Sequence, residues 1–321
     1  IWVQHLLGSG HLERMRWVYR DLPEQYLLVD VVGFQVHLMQ GSEVQWSTRA
    51  QVGRADRQTP SFRDQLEYLE LNPTWTVPPT ILKDDILPKA RLNPGYVAKK
   101  GLKAIDRNGR SVPLSAVNWH LPASRFPYTL RQDGGGEKAA LGKIKFMFPN
   151  RFSVYLHDTP SRRFFNQPVR MTSSGCVRVD KPFELAERVL GEPQRWSVES
   201  LQGLVSSGKT RTVRLKEPLS IILSYWTAEG LGGGRVQFRD DIYGRDATLL
   251  AALDEAVGVR VKLPPPPQPA QEPAPAAAPP GAADPSTPVA PSAPVEAKRL
   301  PITQAGEPQV AAEAPPHGLQ P

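Results

Sequence analysis

The chain has 321 residues, 22% of them charged, a formal net charge of +7 and a single cysteine. One cysteine excludes an internal disulfide framework and any metal site built on several thiolates; neither a metal nor a cofactor is expected. The basic residues are scattered without basic-aromatic periodicity, which argues against nucleic acid as a partner and leaves ordinary solubilising charge or acidic ligands.

Residues 11–20 carry apolar side chains at helical spacing and stop before Pro23, which predicts a short helix. The chain opens at Ile1 in mid-pattern, so residues 1–25 read as a linker and helix left from a truncated upstream region. No signal peptide is visible, and no stretch is long and apolar enough to span a membrane. From Tyr26 to Thr48, apolar runs broken by turns at Gly33 and Gly41-Ser42 predict a β-meander, with His37 as a structural strand residue.

Residues 59–145 break this rhythm. Leu71 to Thr80 is too rich in proline for a central strand, and Ile81 to Ala104 mixes helical and loop signals. A long irregular segment inside a compact domain is expected to be an insertion or a lid. Trp75 lies in it, either as a core aromatic under the loop or as a wall of a substrate cleft.

Strand character returns at Lys143–Phe148 and Val154–Leu156. Asp180-Lys181-Pro182 opens a helix that Gly191 closes, and Ser197 caps a second one. Ile221–Trp226 and Val236–Phe238 are expected to form a hairpin across Gly230–Gly234, followed by an amphipathic helix over Ala247–Val257. Eighteen of the 34 prolines fall between Pro264 and Pro321. That composition buries too little apolar surface to offset its ordering entropy, so 264–321 is expected to be a disordered tail after a folded domain over 26–263. The fold class is mainly β (α+β), with a few packed helices.

The chemistry gathers in Val154-Tyr155-Leu156-His157-Asp158-Thr159-Pro160 and Ser173-Ser174-Gly175-Cys176-Val177-Arg178-Val179. A thiol becomes a useful nucleophile when a base and positive potential raise its thiolate fraction. Cys176 is the candidate nucleophile, His157, nineteen positions upstream, the candidate base, and Arg178 a source of positive potential. The N–H groups of Gly175 and Cys176 are candidate oxyanion donors, with the hydroxyls of Ser173 and Ser174 beside them. The Asp158 carboxylate or a backbone carbonyl can orient the imidazole. Spacing alone leaves open an inert, buried cysteine and a structural histidine.

These two stretches resemble the active-site signature of the L,D-transpeptidases of the YkuD fold: a histidine, then a Ser/Thr-x-Gly-Cys-x-Arg run. Asn72–Pro78, Phe126-Pro127-Tyr128, Gly142–Asn150 and Asp241-Ile242-Tyr243-Gly244 extend the likeness, over roughly residues 12–250, to the large YcbB-type branch. Many family members have a second histidine before the Gly-Cys pair; this chain has Ser174 there, as the YcbB-type branch does.

The resemblance implies a YkuD-like β-sandwich with a capping subdomain inserted at about 59–130. It implies Cys176 as nucleophile and His157 as base, oriented by the Asp158 carbonyl, with Gly175 N–H at the oxyanion. Ser173, Ser174, Arg178, Tyr155 and Trp75 would face substrate. The implied substrates are peptidoglycan tetrapeptide stems, joined 3→3 with release of D-Ala, and carbapenems would acylate the same cysteine. Periplasmic or cell-envelope placement and an upstream wall-binding module are further implications. Hydrolysis of the stem, attachment of a protein amine, and a non-catalytic wall-binding module are the alternatives.

Overall fold

The computed structural model describes residues 14–15, 21–232 and 235–256. The tail expected over 264–321 lies outside them. So does most of the helix expected over 11–20, of which Arg14 and Met15 are described, both helical.

Strands β1 (Gln25–Asp30), β2 (Gln35–Gln40) and β3 (Glu43–Gly53) form the expected meander. β4 (Phe62–Leu71) pairs with β9 (Ile144–Met147), which pairs with β10 (Leu156–His157). β11 (Met171–Ser173), β12 (Val177–Val179) and β13 (Arg211–Ser224) complete a nine-stranded sheet ordered β11-β3-β12-β10-β9-β4-β13-β1-β2. β3 meets β2 through its first residues, β12 through Ala50 and Gln51, and β11 through Val52 and Gly53. The sheet therefore returns on itself, and the two layers expected of a sandwich are halves of one closed sheet.

Period-2 alternation separates core from site. Leu69, Phe146, Leu156 and Val177 are register partners across β4, β9, β10 and β12, and all four are fully buried. Each such side chain contributes about 1.5–3 kcal/mol on burial. Helices α3 (Pro182–Leu190) and α4 (Val198–Ser206) close the same core with Leu185, Ala186, Leu190, Leu201 and Val205. Gly191, at φ +68°, ends α3, and the Ser197 side chain accepts from Ser200 N at the start of α4.

Between β4 and β9 lies a separate four-stranded sheet, ordered β5 (Trp75–Thr76), β8 (Thr129–Gln132), β6 (Leu102–Ile105), β7 (Ser111–Val112). It has its own apolar cluster, including Ile86, Leu87, Val97, Leu102, Trp119 and Leu130. Helices α1 (Leu87–Leu92) and α2 (Gly95–Lys99) connect its first two strands, α1 preceded by a π-helical segment, Leu82–Ile86. The proline-rich segment supplies β5, a two-residue edge strand, as missing N–H donors require.

Two expectations are corrected here. Residues 62–71 are not insertion but β4, bonded into the main sheet between β9 and β13, because Leu66, Leu69 and Leu71 feed the main core. The C-terminal hairpin joins β14 (Ala228–Gly232) to β15 (Arg235–Phe238); residues 221–224 belong to β13, where parallel pairing to β1 and antiparallel pairing to β4 occupy both edges. The last helix, α5 (Arg245–Ala256), starts two residues earlier than expected.

Candidate active site

One residue along from the apolar row, the opposite face carries a polar one. Glu70, Lys145, His157, Arg178 and Gln51 are register partners on β4, β9, β10, β12 and β3. Cys176 immediately precedes β12, so the parallel pairing of β10 and β12 sets it beside Tyr155, whose carbonyl accepts from Val177 N at 3.1 Å. His157 and Cys176, nineteen residues apart in the chain, thus line one cleft of about 400 Å³.

His157 is 4% exposed, and its Nδ1 lies 2.5 Å from the Asp158 carbonyl oxygen. A carbonyl only accepts, so Nδ1 carries the proton and Nε2 holds the free lone pair. Burial, with the charge of Arg178 second, pushes the imidazole down to about 3 against the pull of the Asp158 carbonyl; Lys145 adds to the lowering. The ring is therefore neutral at physiological pH.

The Asp158 carboxylate does not face the imidazole's polar edge. It accepts from Lys143 N at 2.9 Å, Thr159 N at 2.7 Å and Arg162 Nη1 at 3.2 Å. Gly142, at φ +64°, makes room for it: a Cβ there would meet the carboxylate at 2.4 Å. That approach fixes the turn after His157 and hence the carbonyl at Nδ1.

The turn that carries Cys176, the candidate nucleophile, is held from within. Ser173 Oγ donates to the Cys176 carbonyl at 2.5 Å and accepts from Gly175 N at 3.1 Å. Gly175 adopts φ +113°, which favours glycine. One expectation changes as a result. The Gly175 N–H is engaged by Ser173 and is not a free donor, whereas the N–H of Cys176 has no acceptor among the described residues. Ser173, 2% exposed, uses its hydroxyl in the turn while lining the same cleft.

Cys176 is half-buried, and its thiol donates to the Ser153 carbonyl at 3.9 Å. Ser153 sits at φ +54°, in a loop gathered by the Asn150 side chain, which donates to the carbonyls of Phe148 and Val154 at 2.6 and 2.7 Å. Burial pushes the thiol up, opposed by hydrogen bonding from Tyr155 and by the charges of Lys145 and Arg178.

The remaining expected residues meet in the same cleft. Ser174 is exposed and accepts from Arg57 Nη1 at 3.2 Å. Arg178 donates to Gln51 Oε1 at 3.1 Å, and its buried Nε has no acceptor among the described residues. Tyr155 and Trp75 are both half-buried and line the cleft, and Trp75 also packs on the second core.

Sequence reasoning missed the supports. Thr59 Oγ1 donates to the Gly175 carbonyl at 2.9 Å and accepts from Gly53 N at 2.9 Å. Tyr243 OH donates to Gly53 O at 2.7 Å and accepts from Thr59 N at 3.3 Å. Tyr243 sits in the Asp241–Gly244 motif, whose presence was the available signal; Thr59 carried none. Arg57 reaches from the β3–β4 connection to Asp84 at 3.1 Å and to Asp85, tying the nucleophile turn to the inserted segment. Removing the Tyr243 hydroxyl as Tyr243→Phe leaves a buried N–H and carbonyl unpaired. A loss of about 1–3 kcal/mol is expected, read as a lower denaturant midpoint at unchanged slope.

Comparison with known proteins fits this geometry. Residues 24–216 match the sequence family described as YkuD, the L,D-transpeptidase catalytic domain. A Haemophilus influenzae protein named "Putative L,D-transpeptidase" is 32% identical over 223 residues, 70% of this chain and 45% of that protein. The chain thus spans about half the length of that curated relative. Among solved structures, an L,D-transpeptidase from Mycobacterium smegmatis shares 13% identity over 63% of this chain and 58% of its own, at a TM-score of 0.29. L,D-transpeptidase 3 from Mycobacterium tuberculosis shares 11% over 63% and 61%, also at 0.29. These structural likenesses are distant, and the assignment rests on the sequence matches, the first of which covers more than half of the chain. The chain belongs to the YkuD family of L,D-transpeptidase catalytic domains.

Proposed function

We propose that the protein is a cysteine L,D-transpeptidase of the YcbB-type branch that forms 3→3 cross-links between peptidoglycan stems in the cell envelope. The single observation that carries the mechanism is the shared cleft of His157 and Cys176, with Nδ1 of the imidazole committed to the Asp158 carbonyl.

With Nδ1 protonated, Nε2 accepts the thiol proton as sulfur attacks the carbonyl of the third, diamino acid residue of a tetrapeptide stem. The oxyanion meets the Cys176 N–H. Collapse breaks the C–N bond to the terminal D-Ala, which leaves as the amine with the proton from the imidazolium. The side-chain amine of a second stem then attacks the thioester, giving up its proton to Nε2 while the thiol is restored. Because His157 is buried between two cations, the resting pair is thiol and neutral imidazole, and proton transfer accompanies attack.

Arg178 offers a guanidinium with no carboxylate partner among the described residues, suited to a carboxylate of the stem. The inserted segment, carrying Trp75, Ile81 and Tyr96 into the cleft wall, serves as the substrate cap. Carbapenems present a strained carbonyl to the same sulfur. Intact mass measurement after incubation with meropenem tests this directly: one adduct is expected, and its absence would sink the acyl-enzyme reading.

A further inference from the structure

Lys145 does not line the cleft, yet it sits in the polar row beside the reacting pair. It is the register partner of His157 on one side and of Glu70 on the other. Its Nζ lies 3.2 Å from Glu70 Oε2 and 4.3 Å from the centroid of the Tyr155 ring. Its side chain is 13% exposed, so this is a fixed charge rather than a solvated one. The Tyr155 ring packs edge-on against His157 at 5.7 Å between centroids and lines the cleft with Cys176.

A buried lysine needs a partner, and Glu70 supplies one; removing charge from water without pairing is costly. A lysine stem beside an apolar core can end in many ways, so nothing in packing alone demands an ammonium at this place. Its position mirrors that of Arg178, the register partner of His157 on the opposite side. The imidazole is therefore bracketed by two cations.

We propose that Lys145, anchored by Glu70 and seated on the Tyr155 ring, is a positioning residue that presents a fixed positive charge to the Cys176–His157 pair, holding the imidazole neutral and favouring negative charge on sulfur. This rests on the cysteine mechanism proposed above. The charged and titratable groups facing the pair are Glu70 on β4, Lys145 on β9, Tyr155 and Asp158 flanking β10, and Arg178 on β12. Arg162 beside Asp158 and Arg57 beside Ser174 stand one contact further out. Positive charge near both groups acts in opposite directions on their usefulness below and above neutrality: it makes the thiol easier to ionise and the imidazole harder to protonate.

The test is the pH profile of Cys176 alkylation by iodoacetamide, which reads the thiolate, alongside acylation by meropenem. In Lys145→Met the thiolate limb moves up by about one pH unit, a roughly tenfold slower alkylation below it, because one unit of pKa is tenfold in population. The imidazole's acid limb also moves up, so the working window shifts as a whole. Lys145→Arg restores the profile. Glu70→Gln keeps an acceptor for Nζ but removes the negative charge, and moves the thiolate limb the other way, to lower pH. A merely structural lysine would lower rates evenly and leave both limbs in place. Unmoved limbs in Lys145→Met, or in Glu70→Gln should the first variant not fold, overturn the proposal. Failure of the unaltered protein to react at Cys176 would instead overturn the cysteine mechanism beneath it.

Discussion

Cys176→Ala is expected to leave a folded protein with no covalent β-lactam adduct and no transpeptidation. No other thiol exists to replace it. The side chain is half-buried, and its contacts, to the Ser153 carbonyl and to Tyr155, are not among the bonds that hold the turn, so its loss leaves the turn intact. That turn is held by Ser173, Thr59 and Gly175, none of which uses the sulfur. Loss of the covalent route in a protease of comparable logic costs about 10⁶-fold in turnover, and a fall of that order is expected here. The thermal midpoint, measured in parallel, separates chemistry from folding. Residual acylation above a thousandth of the original rate would mean that another group attacks the carbonyl.

His157→Gln is expected to slow acylation by about 10²–10⁴-fold, the contribution of a positioned general base. The pH dependence makes a sharper statement. Burial and Arg178 hold the imidazole down to about 3, so it stays an unprotonated base through pH 5–8. Acylation by meropenem should show no acid limb near 6.5, the ordinary histidine value. A limb between 6 and 7 that disappears in His157→Gln would contradict the neutral-imidazole pair. The sign for stability follows from the same displacement. The unfolded ring titrates near 6.5 and the folded ring near 3, so the unfolded chain binds the proton first. The stability associated with the neutral ring is full above 6.5 and is lost as pH falls towards 3. His157→Gln removes that component of acid sensitivity.

The sequence made the candidate pair His157 and Cys176 legible because sheet geometry converts a linear pattern into a face. Val154-Tyr155-Leu156-His157 and Cys176-Val177-Arg178 alternate so that Leu156 and Val177 enter the core while His157 and Arg178 turn to the cleft. The helix ends at Gly191 and Ser197 were equally legible, since both are local conformational signals. What escaped was set by distant pairing. Residues 62–71 look irregular beside their proline-rich neighbours, and only bonding to β9 and β13 shows them to be a central strand. Residues 221–224 read as half of a hairpin until parallel pairing to β1, nearly two hundred residues away, claims them.

The candidate oxyanion donors illustrate the same limit at atomic scale. Gly175 and Cys176 are equivalent candidates in sequence, and only the 3.1 Å bond from Gly175 N to Ser173 Oγ separates them. Thr59, 116 residues before Gly175, reaches the turn through one hydrogen bond to its carbonyl, and Tyr243, 67 residues after Cys176, supports it only indirectly, through its hydroxyl on Thr59 N and Gly53 O. No spacing rule encodes such contacts.

The most direct measurement is mass spectrometry of the products formed from purified tetrapeptide stems. The expected product is a dimer lacking one D-Ala and joined from the third residue of one stem to the third residue of another, with a transient thioester on Cys176. Tripeptide alone would show that water, not a stem amine, accepts the acyl group. Recovery of unchanged tetrapeptide, from protein whose Cys176 reacts with iodoacetamide, would contradict a cysteine L,D-transpeptidase.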